Sequence, residues 1–384
     1  MLHVMFLVYD QVVFPTLYGF FPILRNILIR EQIQIVHGHQ AFSSMAHEAI
    51  LHAKTMGLKA CFTDHSLFGF EDTGSILTNK LLKFTLSDID HVICVSHTSK
   101  ENTVLRAALD PQIVSVIPNA VVSQEFSPDL TARPSDRINI IVASRLVYRK
   151  GIDLLVSIIP NICTLFPHVD FIIAGDGPKR IELEQMRERY VLQDRVKLIG
   201  AVAHSKVRSV LVQGHIFLNT SLTEAFCIAI VEAASVGLLV VSTKVGGIPE
   251  VLPDEMILFS NPDEEGIVCL SDRIDLIASL AAAIEKVENG EVDSLRIHEI
   301  VKTMYDWSDV AARTEKVYRK MLQMENSDLM ERFVKFNASG LIFGKLACIV
   351  VAWNVILLSI LEFVWPTDSI ELAQDYDQSV IKCL

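Results

Sequence analysis

The sequence predicts an α/β chain: two doubly wound lobes with parallel sheets, followed by one transmembrane helix near the C-terminus. Three observations carry this. Short β-branched runs alternate with helix-period segments in two successive sets, the pattern of strands joined by crossover helices. A stretch rich in proline, serine and aspartate, Val121–Arg137, separates the sets and reads as a linker. An uncharged apolar run, Leu346–Leu361, lies near the end. The 384 residues are too many for one ordinary core and suit two domains.

In the first set, strands are expected at Ile33–Val36, Lys59–Phe62, His91–Val95 and Val114–Ile117. Helices fall at Phe42–Met56, Gly74–Ser87 and Ser99–Ala108. The chain opens on a strand-like run, Leu2–Tyr9. A doubly wound lobe ordinarily opens with a strand, a glycine-rich turn and a helix. The loop Asp10–Pro15 has no glycine, so the first lobe is expected to be incomplete, lacking its opening unit. Met1–Val8 lacks the basic flank of a signal peptide, and Asp10 interrupts the apolar stretch.

In the second set, strands are expected at Ile138–Ala143, Asp170–Ala174, Val196–Ile199, Ile216–Asn219, Leu239–Ser242 and Met256–Phe259. Several are apolar throughout, as strands buried on both faces are. Ile274–Val287 and Val310–Met324 read as closing helices. The expected organisation is therefore a lobe over residues 1–120, a linker over 121–137, a second lobe over 138–325, a transmembrane helix over 341–365 and a tail over 366–384.

Composition narrows the class. Hydrophobic residues make up 51% and charged residues 21%, which argues against disorder. A net charge of −12 argues against a nucleic-acid binder but leaves room for a local basic pocket. The seven cysteines are Cys61, Cys94, Cys163, Cys227, Cys269, Cys348 and Cys383. They are odd in number, widely spaced and without a C-x-x-C, which argues against structural zinc and a disulfide framework. They fit small buried side chains in a reducing compartment.

A bilayer core takes about 20 apolar residues, and the C-terminal run extends back to Leu341 and on to Trp365. Lys345 and Glu362 can snorkel, and Trp365 suits an interface. A buried core helix is the alternative reading. Arg332, Lys335 and Lys345 precede the run; Asp368, Glu371, Asp375 and Asp377 come after it, with Lys382. The positive-inside rule places the large N-terminal part in the cytosol and leaves a short tail on the other side. Asn219-Thr220-Ser221 and Asn337-Ala338-Ser339 match glycosylation sequons, which a cytosolic domain would leave unused.

Chemistry is sought beyond the carboxyl ends of the second-lobe strands, where α/β sheets bind ligands. Ser144-Arg145-Leu146-Val147-Tyr148-Arg149-Lys150-Gly151 ends the first strand. Arg145 and Lys150 near a helix start make a diphosphate site without metal; a solvated basic turn is the bland alternative. Ala174-Gly175-Asp176-Gly177-Pro178 ends the next strand, and its glycines permit a tight turn. After Ile216–Asn219 comes Thr220-Ser221-Leu222-Thr223-Glu224-Ala225-Phe226-Cys227-Ile228-Ala229-Ile230-Val231-Glu232. Thr223 is a good N-cap, with Glu224 in the first turn and Glu232 about 12 Å on along the axis. That spacing suits one carboxylate at a sugar and the other at a ribose; a capped amphipathic helix with two surface acids is the alternative. Val245-Gly246-Gly247-Ile248-Pro249-Glu250 follows the next strand, with glycines that let backbone approach a ligand or simply turn.

Other groups are weaker. His37-Gly38-His39, with His47 and His52, could suggest a metal but lacks ligand spacing. Asp88-Ile89-Asp90 matches the D-x-D of metal-dependent transferases, yet it precedes a buried strand and reads as a helix end.

Taken in order, S-R-L-x-x-x-K-G, G-x-G-P, E-x7-E and G-G-x-P-E resemble the retaining GT-B glycosyltransferases of the Glu-x7-Glu type, whose fold is two Rossmann-like lobes. That resemblance continues with Ser96-x-Thr98-Ser99-Lys100 and Ile117–Val121 before the linker, and longer runs narrow it: Ala46–Ala49, His52–Leu58, Thr63–Phe70, Leu77–Leu82 and Val95–Leu109, with the single apolar run. These are similar to the family of catalytic subunits of phosphatidylinositol N-acetylglucosaminyltransferase.

The resemblance implies transfer of N-acetylglucosamine from UDP to phosphatidylinositol, the first step of glycosylphosphatidylinositol (GPI) anchor synthesis. It implies the endoplasmic reticulum membrane, partner membrane subunits, and no cofactor or metal. Arg145 and Lys150 would stabilise the departing diphosphate, beside an oxocarbenium-like sugar. Glu224 would position that sugar and Glu232 the ribose. Gly175, Gly177, Gly246 and Gly247 would line the donor. His65 matches the family's first-lobe histidine, which would bind the donor sugar or help handle the acceptor proton; a structural turn histidine is the alternative. Retention implies either a double displacement or departure and attack on one face, and the resemblance favours the latter. A non-catalytic shortened subunit, transfer of another sugar such as mannose, and a membrane-stalked binding protein remain rival readings.

Overall fold

The computed structural model describes residues 16, 18–69, 73–260 and 270–374, with a short antiparallel strand pair, β1 (Val8–Tyr9) and β2 (Val12–Val13). The strand expected over Leu2–Tyr9 lies mostly outside the described residues, as do Cys269, Cys383 and the last ten residues of the tail. The chain divides into two compact units. The first is 1–95, 100–116 and 313–384; the second is 96–99 and 117–312.

The first unit holds α1 (Phe21–Arg30), β3 (Ile35–His39), α2 (Ser44–Thr55), β4 (Lys59–Asp64), α3 (Thr73–Leu86), β5 (His91–Cys94), most of α4 (His97–Ala107) and β6 (Val114–Val116). Its sheet runs β3-β4-β5-β6, all parallel. Ile50, Phe62, Leu82, Leu86, Val92 and Cys94 form the core. The helix α1 has no counterpart in the sequence reading. Proline in its first turn and Arg30 in its last are the terminus signals it carries.

Buried charges staple this unit. Asp90 accepts two hydrogen bonds from Lys54 Nζ, each 2.9 Å, and one from the Ala60 amide at 2.7 Å. Asp88 accepts from Arg332 Nε at 2.7 Å and Lys335 Nζ at 3.0 Å. Both carboxylates of the D-x-D stretch are thus consumed by structural ion pairs. The same contact takes Arg332, read above as an orienting membrane-flanking charge, into the interior. Asp64 and Arg106, both fully buried, pair at 3.2 Å.

Two helices complete the unit. α12 (Leu329–Asn337) starts with a capping box on Asp328 and Glu331. It leads to α13 (Phe343–Val364), the described helix long and apolar enough to cross a membrane. One stripe of it, Gly344, Ala347, Val351 and Asn354, is buried. Phe84, Phe336 and Leu51 pack against that stripe. Asn354 donates to Thr55 Oγ1 at 2.6 Å and contacts His52 Nδ1 at 3.0 Å. At its far end Glu362 pairs with Arg25 of α1. Beyond it the Ala373 amide donates to the Arg30 carbonyl at 2.8 Å. The opposite face exposes Leu346, Ile349, Trp353, Ile356 and Ile360.

In the second unit, β7 (Ile138–Ala143), α5 (Ile152–Leu165), β8 (Val169–Ala174), α6 (Arg180–Arg189), β9 (Val196–Gly200), α7 (His204–Leu211), β10 (Ile216–Asn219), α8 (Ile228–Ser235), β11 (Leu239–Thr243) and β12 (Ile257–Ser260) alternate as expected. α9 (Leu270–Glu288), α10 (Ser294–Met304) and the start of α11 (Trp307–Leu322) follow. The parallel sheet runs β12-β11-β10-β7-β8-β9. Strand order therefore reverses between β7 and β10, the switch point at which such sheets bind ligands. Ile140, Phe171, Ile173, Leu218, Val241 and Leu280 lie in its core.

Two expected boundaries change. Val121–Arg137 is not a free linker: Phe126 is buried, Arg133 donates to Ser294 Oγ and to the Val236 and Gly237 carbonyls, and Arg208 holds the Ser127 carbonyl. Its polar groups thus find partners on the second unit. At the other end, residues from Arg313 onward group with the first unit, because Tyr318 and Arg313 of α11 bond His37 and the Val116 carbonyl.

Asp64→Ala leaves Arg106 buried without its counter-ion. It should destabilise the first unit by about 3–5 kcal/mol. Asp64→Leu combined with Arg106→Met should recover most of that loss. Thermal unfolding of the detergent-solubilised chain measures both, and equal loss in the two proteins would contradict the ion-pair account.

Candidate active site

The switch point is built from two loops that fit together without a gap. The β7 loop ends in a 3-10 turn over Tyr148–Lys150, capped by Gly151 at φ 65°. A Cβ at Gly151 would overlap the Thr220 carbonyl oxygen, so only glycine allows the β10 loop to pass so close. Thr220 Oγ1 donates to the Lys150 carbonyl at 2.8 Å, and the Leu222 amide to the Arg149 carbonyl at 2.9 Å. These bonds place Lys150 against Glu224, and the two side chains form an ion pair. Ser221 Oγ donates to the same carboxylate at 3.0 Å.

Glu224 does not sit in the first turn of a helix, and Thr223 is not an N-cap. The helix begins at Ile228, and its N-cap residue is Cys227 at φ 68°. The Gly247 amide donates to the Glu224 carbonyl at 3.0 Å, and Leu222 is held by Arg149; both keep the preceding loop out of helical geometry. The axial spacing of about 12 Å argued from a continuous helix therefore does not describe this pair. A left-handed cysteine is costly, and such residues persist where surrounding contacts over-determine them. Its thiol is buried, which pushes its pKa up to about 12, so it offers no nucleophile.

Glu232 lies within α8 and turns into a pocket of about 310 Å³ beside the switch point. Ser144, Arg145, Gly175, Ala201, Val202 and Glu232 line it. Burial raises the Glu232 pKa, partly offset by His204 at 3.9 Å. Arg145 is exposed and makes no ion pair among the described residues. The pocket thus offers a fixed cation, a hydrogen-bonding carboxylate and an apolar wall, a combination that suits a polar ligand carrying an anionic group.

The glycines divide by role. Gly175 and Gly177, at φ 144° and 155°, place their missing Cβ atoms against the Ser144 and Leu146 carbonyls. They join the β7 and β8 loops, and Gly175 also borders the pocket. Gly246 adopts φ 52°, while a Cβ on Gly247 would overlap the Ala225 carbonyl and Ser96 Oγ. Ser96 and Glu250 lie within sequence motifs but carry no individual role there. Ser96 Oγ donates to the Ala225 carbonyl at 2.6 Å, and Glu250 accepts from the His97 and Thr98 amides at 2.6 and 2.8 Å. The Ser-x-Thr-Ser run at a helix start was the available signal.

In the first unit, His65 follows β4. Asp64, fixed by Arg106 and Thr103, accepts from the Ser66 amide at 3.0 Å and from its hydroxyl. This turn aims His65 outward. His39, at the end of β3, meets it with Nδ1 3.2 Å from His65 Nε2. Neighbouring protein strips enough water from His65 to lower its pKa, and His39 lowers it further.

Glu232 supplies a stability test. Its folded pKa is raised, so its contribution is complete below the unfolded value and is lost as pH rises through the folded one. Glu232→Gln should therefore raise the melting temperature of the unliganded chain at pH 7 by about 2–4 °C, the shift of roughly 1 kcal/mol in a unit of this size. The gain should vanish near pH 4. A gain independent of pH would show that its charge is not the cause.

Comparison with known proteins agrees with this geometry. Residues 2–72 match a family model described as PIGA (GPI anchor biosynthesis), and residues 123–300 match glycosyl transferases group 1. The phosphatidylinositol N-acetylglucosaminyltransferase gpi3 subunit of Schizosaccharomyces pombe is 54% identical over 98% of this chain and 80% of its own length. The corresponding human phosphatidylinositol N-acetylglucosaminyltransferase subunit is 53% identical over 96% of this chain and 74% of its own length. Among solved structures, Anabaena HepE in complex with UDP aligns with TM-score 0.66 at 18% identity, covering 80% of this chain and 84% of that one. That likeness concerns the fold, which is GT-B. The chain therefore belongs to the PIGA family of phosphatidylinositol N-acetylglucosaminyltransferase subunits and is a glycosyltransferase.

Proposed function

We propose that this chain transfers N-acetylglucosamine from UDP-N-acetylglucosamine to phosphatidylinositol, the first step of GPI-anchor synthesis. The observation that carries the reading is identity of 53–54% across nearly the whole chain to proteins named for that transfer. The pocket of the second unit supports it: Arg145 and Glu232 offer what a diphosphate and a ribose would need. The UDP held by HepE, a protein of the same fold, is in keeping with that assignment.

On this reading Arg145 and Lys150 stabilise the charge that builds on UDP as the bond to sugar C1 breaks. Metal is not required for that task. Lys150 is paired with Glu224 before donor arrives, so the diphosphate competes for Lys150 and leaves Glu224 to orient the sugar. Gly175, Gly246 and Gly247 allow close backbone approach. An inositol hydroxyl then bonds to C1 on the face that UDP leaves, with retention, its proton passing to the departing diphosphate or to His65. His65 is assigned to the donor sugar or to the acceptor proton.

The α13 helix attaches the chain to a membrane, assigned here to the endoplasmic reticulum, with the two units cytosolic and a lumenal tail. Crossing the bilayer would exchange the Ala373–Arg30 contact and the Arg25–Glu362 pair for lipid and water. The relatives are named as subunits, which supports assembly with other membrane subunits.

The test uses membranes from cells lacking their own enzyme, labelled UDP-N-acetylglucosamine and phosphatidylinositol. Labelled lipid should form with the chain and fall below about 1% of that level with Glu224→Ala, a loss of the size that removal of one transition-state contact produces. Glu232→Ala should instead weaken UDP binding about tenfold, as loss of a charged hydrogen bond does. No labelled lipid, with UDP still bound, would replace the enzyme by a non-catalytic subunit.

A further inference from the structure

The first unit carries three imidazoles in a column at the carboxyl ends of β3 and β4. The His37 and His39 rings stack with centroids 4.4 Å apart, and those of His39 and His65 at 5.5 Å. His37 is fixed at both nitrogens, by Tyr318 Oη at 2.6 Å and Thr63 Oγ1 at 2.7 Å. It forms the rigid base of the column. His39 is held from the backbone side as well. Gln40 turns into the left-handed region at φ 76°, and its amide donates to the Thr63 carbonyl at 3.0 Å. That bond locks the end of β3 to β4, the strand that leads into His65.

We infer that His39 is a positioning residue: its Nδ1, hydrogen-bonded to His65 Nε2, fixes the ring orientation and tautomer of His65, so that the opposite nitrogen, Nδ1, meets the reacting sugar or hydroxyl. This rests on the role proposed for His65. A contact between two imidazole nitrogens holds one proton. Whichever ring donates, His65 Nε2 is committed to His39, and its free edge is defined. Burial lowers the pKa of both His37 and His39, so the column is neutral near pH 7 and the contact is a neutral hydrogen bond. His39 need not touch the substrate for this.

The geometry names a discriminating substitution. The amide of asparagine overlays the Nδ1 edge of histidine, whereas that of glutamine overlays Nε2. If His39 acts through Nδ1, His39→Asn should keep kcat within about threefold of the parent, while His39→Ala and His39→Gln lower it about tenfold or more, the low end of an acid–base contribution. The KM for UDP-N-acetylglucosamine should change less than twofold in all three. In a His65→Ala background, His39→Ala should cause no further loss, because residues acting as one unit are not additive. Assays use the full chain in membranes, with unchanged amounts confirmed by immunoblot. Additive losses, or equal kcat in the asparagine, glutamine and alanine variants, overturn the inference. If His65→Ala itself leaves kcat unchanged, the role assigned to His65 fails and this inference with it. If His65→Ala is impaired and His39→Ala is not, only the positioning role fails.

Discussion

The Thr220 carbonyl stands where a side chain on Gly151 would begin. That close approach brings the loops after β7 and β10 together at the switch point of the second sheet. The pairing of Lys150 with Glu224 follows from it. Lys150 meets Glu224 because Thr220 and Leu222 bond the backbone of the turn that carries the lysine. Gly247 completes the arrangement from the next strand, its amide on Glu224 and its bare Cα against Ala225. The turn is held through its backbone carbonyls, by the Leu222 amide and the Thr220 hydroxyl, and the Lys150–Glu224 side-chain pair closes over it.

Legibility in the sequence followed burial. Ile138–Ala143 and Ile216–Asn219 match their expected spans, because central parallel strands are apolar runs with sharp polar edges. The switch-point loops were marked by glycine and by a cation pair, both local signals. The helix start after Glu224 was misjudged because a left-handed Cys227 replaces the cap that Thr223 advertises; no composition rule anticipates positive φ at cysteine. Gly175 and Gly177 also fit against the Ser144 and Leu146 carbonyls, a long-range contact invisible along the chain.

The ion pairs were the least legible feature. Asp88 and Arg332 lie 244 residues apart, and Arg25 and Glu362 lie 337 apart. In the sequence Arg332 and Lys335 looked like charges beside a membrane helix, since local charge patterns are all that the positive-inside rule inspects. Folding gives them a second partner in Asp88, which ties α12 to the first unit. A flanking cation and a structural cation therefore share one signature in the sequence.

Asn354 sits at the middle of α13 with no exposed surface, its amide on Thr55 and His52. Every other side of that stretch is hydrocarbon, and hydrocarbon surfaces slide past one another with little preference for angle. A single amide with a directional partner removes that freedom. It works as a key in a slot, setting the angle at which α13 stands and therefore which edge, that of Ile349, Trp353, Ile356 and Ile360, is turned outward. One buried amide thus gives a greasy cylinder a front and a back.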